Sequence, residues 1–260
     1  MEEERVVEAL ASGPFKWGGV TDIGKDRAQN EDSFIVEPES GLFILSDGMG
    51  GHRGGKLAAN IVTEDLSSMI DTRLHKLRSS KPRAIRRLLR KTIVEQNRQL
   101  HMEGGSEDGY KGMGATVVLV LIRDARAYLA HLGDSRIYRL RKGRFVQQTR
   151  DHSVVTELIE AGELKPEEAE DHESANEITH YVGMEEKALA EIRSFGLVRG
   201  DRLLLCSDGL TGMVDDKNIA DILRKQPDPQ VACEQLIRAS NDAGGYDNIT
   251  VVIVDWYGRG

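Results

Sequence analysis

Three short apolar runs in this chain stop at an aspartate, and a fourth starts from one. Leu42 to Gly51 reads LFILSDGMGG, Arg202 to Gly212 reads RLLLCSDGLTG, and Ala127 to Arg136 reads AYLAHLGDSR. Gly244 to Trp256, GGYDNITVVIVDW, puts the aspartate first. Apolar runs of this length, bounded by turn residues, read as strands. One aspartate at a strand end is a turn former, and Asp-Gly is a common turn dipeptide. Four of them, at Asp47, Asp208, Asp134 and Asp247, ask for a fold that gathers strand ends around a shared site.

The same patterning predicts strands near 15–22, 32–37, 41–47, 115–123, 125–132, 135–140, 143–148, 188–195, 202–207 and 248–256. Ile122 to Tyr128 and Leu140 to Phe145 read as hairpin turns, the second helped by Gly143. Short connections imply antiparallel pairing. Helices are expected at 51–72, 82–103 and 229–242, the second opening at Pro82 and the third closing on Gly244 and Gly245. Hairpins interspersed with a few long helices define an α+β chain, its helices covering the outer faces of packed sheets. Asp151 to Gly183 is polar, acidic and poor in sheet patterning. It reads as short helices and turns laid over a sheet edge.

A chain of 260 residues buries a large core without staples. Cys206 and Cys233 have no metal-ligand spacing, so both are expected to be reduced core thiols of a cytoplasmic protein. The net charge of -8 argues against nucleic acid as a partner. The longest apolar run, Ala115 to Ile122, is too short to span a membrane, and the first residues lack the pattern of a signal peptide.

Clustered carboxylates raise one another's pKa, so a cation must balance them. The site lacks a Cys/His set, which disfavours zinc. An all-oxygen set suits Mg²⁺ or Mn²⁺. Several aspartates can hold two such ions about 4 Å apart, the spacing for in-line attack at phosphorus. Arg27 precedes Glu31 and Asp32 in TDIGKDRAQNED. A guanidinium grips phosphate oxygens through paired hydrogen bonds, and the two acids can order metal-bound waters.

The segments RAQNEDS, DGMGGH, GMGATVV, GDSRIY, TRDHSVV, SDGLT and DNITVVIV follow one another in this order. In that the chain resembles the PPM (PP2C-like) metal-dependent serine/threonine protein phosphatases of the compact bacterial type, over roughly residues 15–256. The resemblance implies an α-β-β-α sandwich of two antiparallel sheets in one catalytic domain, residues 1–260, with a flap at about 151–183. It implies that Asp47 bridges two metals, that Gly48 gives a carbonyl ligand, and that Asp208 and Asp247 complete the first metal. Glu31 and Asp32 then act through metal-bound waters, Asp134 joins Asp208 at a third metal, and Arg27 binds phosphate. It also implies phosphoprotein substrates, a Ser/Thr kinase to be opposed, and a monomer.

Met49 stands where some relatives carry a proton-donating histidine, and a thioether donates no proton. His52 or a water on the third metal is left for that role. Ala175 and His180 replace the flap's usual arginines. Simpler roles stand beside these: Asp134 as a turn cap, Arg27 as a surface ion pair, His152 as a structural hydrogen-bonder. The basic stretch Arg73 to Lys91 is a docking face for an acidic partner or anionic surface, or a solvated helix face with Ile85, Leu88 and Leu89 inward. Two other functions compete: a phospho-dependent binding module, and a two-metal nuclease, which would want base-stacking aromatics near the site.

Overall fold

The computed structural model describes residues 14–49, 54–105, 112–169, 171–185 and 188–258. In chain order its elements are β1 (Phe15–Asp22), β2 (Asp32–Glu37), β3 (Leu42–Met49), α1 (Gly54–His75), α2 (Pro82–Gly104), β4 (Gly114–Ala115), β5 (Val117–Arg123), β6 (Arg126–Leu132), β7 (Arg136–Arg141) and β8 (Arg144–Gln147). There follow α3 (Val154–Ala161), β9 (Glu191–Gly196), β10 (Asp201–Cys206), α4 (Asp208–Thr211), α5 (Asp216–Lys225), α6 (Pro229–Asp242) and β11 (Ile249–Trp256).

The strands form two antiparallel sheets. One runs β1-β11-β10-β7-β8 and the other β2-β3-β5-β6-β9, with β4 paired to β3. The two expected hairpins are there, and each turns on two residues of positive φ: Asp124–Ala125 between β5 and β6, Lys142–Gly143 between β7 and β8. Turns of that hand match the twist of the strands they join.

Alternate residues of each central strand go to opposite faces, and both faces are buried. On β3, Leu42 and Ile44 pack toward α1 and α2, while Phe43 and Leu45 face the other sheet. On β10 and β11, Leu203, Leu205, Val252 and Val254 fill the space between the sheets. Leu204, Cys206, Val251 and Ile253 turn outward to α5 and α6. Burial on two faces is why these strands read as unbroken apolar runs. The result is the expected layering of helices, sheet, sheet, helices.

Cys206 and Cys233 are unpaired and lie in the same outer core, where burial raises both thiols, Cys206 to about 12. Ile85, Leu88 and Leu89 are buried in the α1–α2 layer, as a solvated helix face requires. Arg73 pairs with Glu95. Among the described residues no helix is long and apolar enough to cross a membrane.

Boundaries differ in places. The strand expected at 188–195 is β9, which begins three residues later. The run expected at 115–123 is divided at Thr116 into β4 and β5. Helices α4 and α5 fall outside the helices expected from the sequence, although α5 carries a cap signal: Asp215 accepts from the Asn218 N–H at 2.7 Å. In 151–183, α3 is capped by Ser153 and closed by Gly162 in the left-handed conformation. The isolated bridge Ser153↔Ile178 closes the segment on itself, and Ala115↔Val182 ties its end to β4.

Candidate active site

Four strand ends and one sheet-to-sheet crossing meet at one edge of the sandwich. Asp32 opens β2 directly opposite Asp47 on β3. Strand β10 ends at Cys206, and the chain turns at Ser207 so that Asp208 begins α4. Asp247 lies two residues before β11. Asp134 sits where β6 of one sheet passes to β7 of the other. Asp47 feels the negative charge of Asp32, Asp208, Asp134 and Asp247, and Asp208 lies within hydrogen-bonding reach of Asp47. The five aspartates singled out in the sequence are therefore one cluster.

Small polar side chains fix the backbone around them. The Asp47 N–H donates to Thr116 Oγ1 at 3.0 Å, and the Thr116 N–H returns a bond to the Asp47 carbonyl at 2.8 Å. Thr116 Oγ1 also shares a 2.7 Å hydrogen bond with Ser135 Oγ, beside Asp134. Ser207 Oγ donates to Asp32 Oδ2 at 2.8 Å and accepts from the Thr250 N–H at 2.9 Å. Asn248 ties three segments: its side-chain amide donates to the Ile23 and Gln29 carbonyls and accepts from the Glu31 N–H at 2.8 Å. Thr116 and Ser135 were missed as site-builders in the sequence. With Ser207 and Asn248 they lie inside motifs already quoted; Ser135, Ser207 and Asn248 are next to the aspartates they serve, and Thr116 reaches Asp47 from between β4 and β5.

Glu31 takes a hydrogen bond from Gln29 Nε2 at 2.6 Å and gives its carbonyl to the Gly48 N–H at 3.2 Å. Its carboxylate reaches the first turn of α1, where the helix dipole favours an anion. There a Cβ on Gly55 would collide with Glu31 Oε2, and a Cβ on Gly48 with the Gly55 carbonyl. Glycine at both positions lets the α1 start close on β3. Arg27 stands at the rim, half exposed, with Nη2 donating to Asp247 Oδ2 at 2.7 Å. It is a surface ion pair as well as a site residue, because its partner belongs to the cluster. Met49 ends β3. His52 lies outside the described residues.

The electrostatics ask for cations. Burial, with Asp208 and Asp247 nearby, pushes Asp32 up to about 7 despite its hydrogen bonds from Thr250 and Ser207. Burial and then Asp208 push Asp134 up to about 8. Asp47 and Asp208 are raised as well, first by burial and then by neighbouring carboxylates. Asp32 Oδ1, Asp134 Oδ1 and Asp208 Oδ1 are buried with no hydrogen-bond partner among the described residues. Unpaired buried carboxylate oxygens are costly unless something positive meets them. This donor set, all oxygen, fits hard divalent ions.

A second cluster lies nearby. His131, His152 and Glu191 each bring one ligand atom within 4.8 Å of the others. The Gly133 N–H donates to His152 Nδ1 at 3.1 Å, which leaves the His152 proton on Nε2, the nitrogen facing Glu191. A metal on Nε2 would move that proton to Nδ1 and set N–H against N–H. The hydrogen bonds therefore give this trio a structural role, the one expected of His152.

Residues 24–244 match the family described as Protein phosphatase 2C. Protein phosphatase PhpP of Streptococcus pneumoniae is 38% identical over 239 residues, covering 90% of this chain and 95% of that protein. Serine/threonine phosphatase stp of Listeria monocytogenes is 35% identical over 238 residues, covering 90% and 93%. The S. agalactiae serine/threonine phosphatase structure superposes with a TM-score of 0.85 at 36% identity, covering 94% of this chain and all of that one. The catalytic domain of the phosphatase PstP, solved with two manganese ions, gives a TM-score of 0.78 at 32% identity, covering 94% and 99%. The fold and these likenesses define a protein phosphatase, and the chain belongs to the protein phosphatase 2C family. It is a phosphoprotein phosphatase.

Proposed function

We propose that this chain removes phosphate from phosphoserine and phosphothreonine in proteins, in one displacement by water and without a phosphoenzyme. The observation that carries the reading is the cluster itself: Asp32, Asp47, Asp134, Asp208 and Asp247 share one edge, with three buried carboxylate oxygens unpaired. Asp47, the Gly48 carbonyl, Asp208 and Asp247 would hold two core ions, Mn²⁺ or Mg²⁺. Glu31 and Asp32 would act through their waters, and Asp134 with Asp208 would hold a third. When bound, such a pair lowers the pKa of water toward neutrality and polarises the phosphoryl oxygens.

The chain's own residues do the rest. Arg27, oriented by Asp247 at 2.7 Å, offers its remaining guanidinium donors to phosphoryl oxygens at the rim. Thr116 and Asn248 fix the backbone that carries the acids and Ser207 holds the Asp32 carboxylate before substrate arrives, which is what preorganised electrostatic catalysis requires. We extend the reading to a single catalytic domain with 151–183 as its flap, acting as a monomer in the cytoplasm against a Ser/Thr kinase. The unpaired, buried Cys206 and Cys233 suit a reducing compartment. The names of the streptococcal and listerial relatives support the substrate class.

The test is phosphate release from a phosphothreonine peptide with Mn²⁺, Mg²⁺ or EDTA, with Asp208→Asn in parallel. Turnover that needs metal and collapses in the variant supports the reading. Turnover that persists in EDTA overturns it. So does Mn²⁺ binding with no turnover, which would make the chain a phospho-dependent binding module.

A further inference from the structure

His152 grips a single residue of the site from two directions. Its backbone N–H donates to the Gly133 carbonyl at 3.0 Å, and its ring Nδ1 accepts from the Gly133 N–H at 3.1 Å. Both polar groups of Gly133 are thus committed to one partner. Gly133 is also where side-chain packing cannot help: its φ is +112, and a Cβ there would press on Thr116 at 2.7 Å. The next two residues are Asp134 and Ser135, and Ser135 is joined through Thr116 to Asp47.

The other side of His152 belongs to the segment 151–183. The Thr179 N–H donates to the His152 carbonyl at 2.8 Å, and the Val154 N–H donates to the Glu177 carbonyl at 2.9 Å. The His180 ring lies 5.1 Å from the His152 ring, and its Nδ1 is bonded to Thr179 Oγ1 at 3.0 Å. From behind, His131 stacks on His152 at 4.7 Å and holds itself in place by donating Nε2–H to the Arg150 carbonyl at 2.7 Å. A ring clamped between two other imidazoles and bonded through Nδ1 has little freedom to move.

We propose that His152 is a positioning residue: its Nδ1 acceptor sets the backbone that carries Asp134 and ties it to the inner edge of the segment 151–183. Cation binding at Asp134 and the placement of that segment then depend on each other. The proposal rests on the reading of Asp134 as a cation ligand. Residues that orient a metal ligand without touching the metal are worth about 10- to 100-fold in affinity.

The two functions of the ring can be separated. His152→Phe keeps a ring between His131 and His180 but has no acceptor for the Gly133 N–H. His152→Asn keeps an acceptor at the place of Nδ1 and loses the ring. The measurement is the Mn²⁺ affinity of the full chain by calorimetric titration, beside the Mn²⁺ dependence of phosphothreonine-peptide turnover, with thermal stability in saturating Mn²⁺ as the folding control and Asp134→Asn as the reference. His152→Phe should raise the half-saturating Mn²⁺ by about 10- to 100-fold, toward the Asp134→Asn value. His152→Asn should recover most of that loss, while its KM for the phosphopeptide rises because the ring contact to His180 is gone.

Equal shifts in the two His152 variants would overturn the proposal, because packing would then be the whole role. An unshifted His152→Phe would also overturn it while leaving Asp134 a ligand. If His152→Phe does not fold, the Asn variant decides alone: a shift as large as that of Asp134→Asn refutes the acceptor role. An Asp134→Asn enzyme with wild-type Mn²⁺ dependence would instead remove the ligand reading on which the proposal stands.

Discussion

Asp32 and Asp47 face each other across the β2–β3 ladder, in the first and sixth positions of their strands. Directly opposed residues on neighbouring strands share a face, and like charges there are destabilising. Both carboxyls are raised, mainly by burial. Without cations the edge therefore favours protonated acids. Such groups stabilise the fold fully below the ordinary carboxylate pKa and lose that contribution as pH rises through the folded value. With Asp32 at about 7 and Asp134 at about 8, the EDTA-stripped protein should lose thermal stability steadily from pH 5 to pH 8. Mn²⁺ should abolish most of the slope. Melting curves across that range, with and without the ion, check this.

Asp208→Asn should separate stability from catalysis. Removing a buried negative charge relieves Asp47 and Asp247, so the stripped variant should melt above the stripped wild type at pH 8. With saturating Mn²⁺ the order should reverse, and turnover should fall by more than about 100-fold. A variant that melts lower under both conditions would mean that Asp208 is held by bonds other than those described.

Arg27→Ala should leave the melting temperature nearly unchanged, since an exposed ion pair contributes about 0–1 kcal/mol. It should still cost about 100-fold in kcat/KM for a phosphopeptide, the scale of losing one charge-stabilising donor. Arg27→Lys should restore only part of this, because an ammonium lacks the planar fork. Steady-state kinetics against phosphothreonine peptide measures both.

Far from the site, Arg202 and Asp255 form a buried two-bond pair at 2.6 and 2.7 Å. The same guanidinium donates to the carbonyls of Leu223, Gln226 and Pro227, closing the end of α5. Asp255→Ala strands that charge and should destabilise the fold by about 3–5 kcal/mol in urea titration, with kcat per folded molecule unchanged.

Much of this was legible in the residues. Strand ends marked by Asp-Gly gave the positions of Asp47 and Asp208, and two-face burial explains why LFIL and ATVVLVLI are continuous rather than alternating. The hairpins at Asp124 and Lys142 were visible from chain economy, since so short a connection leaves no other pairing. What the sequence hid is tertiary. Thr116 looks like one more β-branched residue inside an apolar run, and only the approach of β3 turns its hydroxyl toward Asp47. His152 sits in RDHS with no local clue that its ring meets Gly133, 19 residues earlier. Helix α5 is ten residues long, too short for periodicity to stand out against the turns on either side. Arg27 could be read as a phosphate ligand or as an ion pair; the ion pair with Asp247 is there and uses one guanidinium nitrogen.

The proposed role of the aspartate edge is to hold divalent ions. Calorimetric titration of the EDTA-stripped chain with Mn²⁺ near pH 7, repeated in buffers of different ionisation enthalpy, tests it most directly. At least two ions per chain should bind with net proton release, because edge carboxyls raised to about 7 and 8 give up protons when cations arrive beside them. Absence of Mn²⁺ binding, or binding that survives intact in Asp47→Asn, would contradict it.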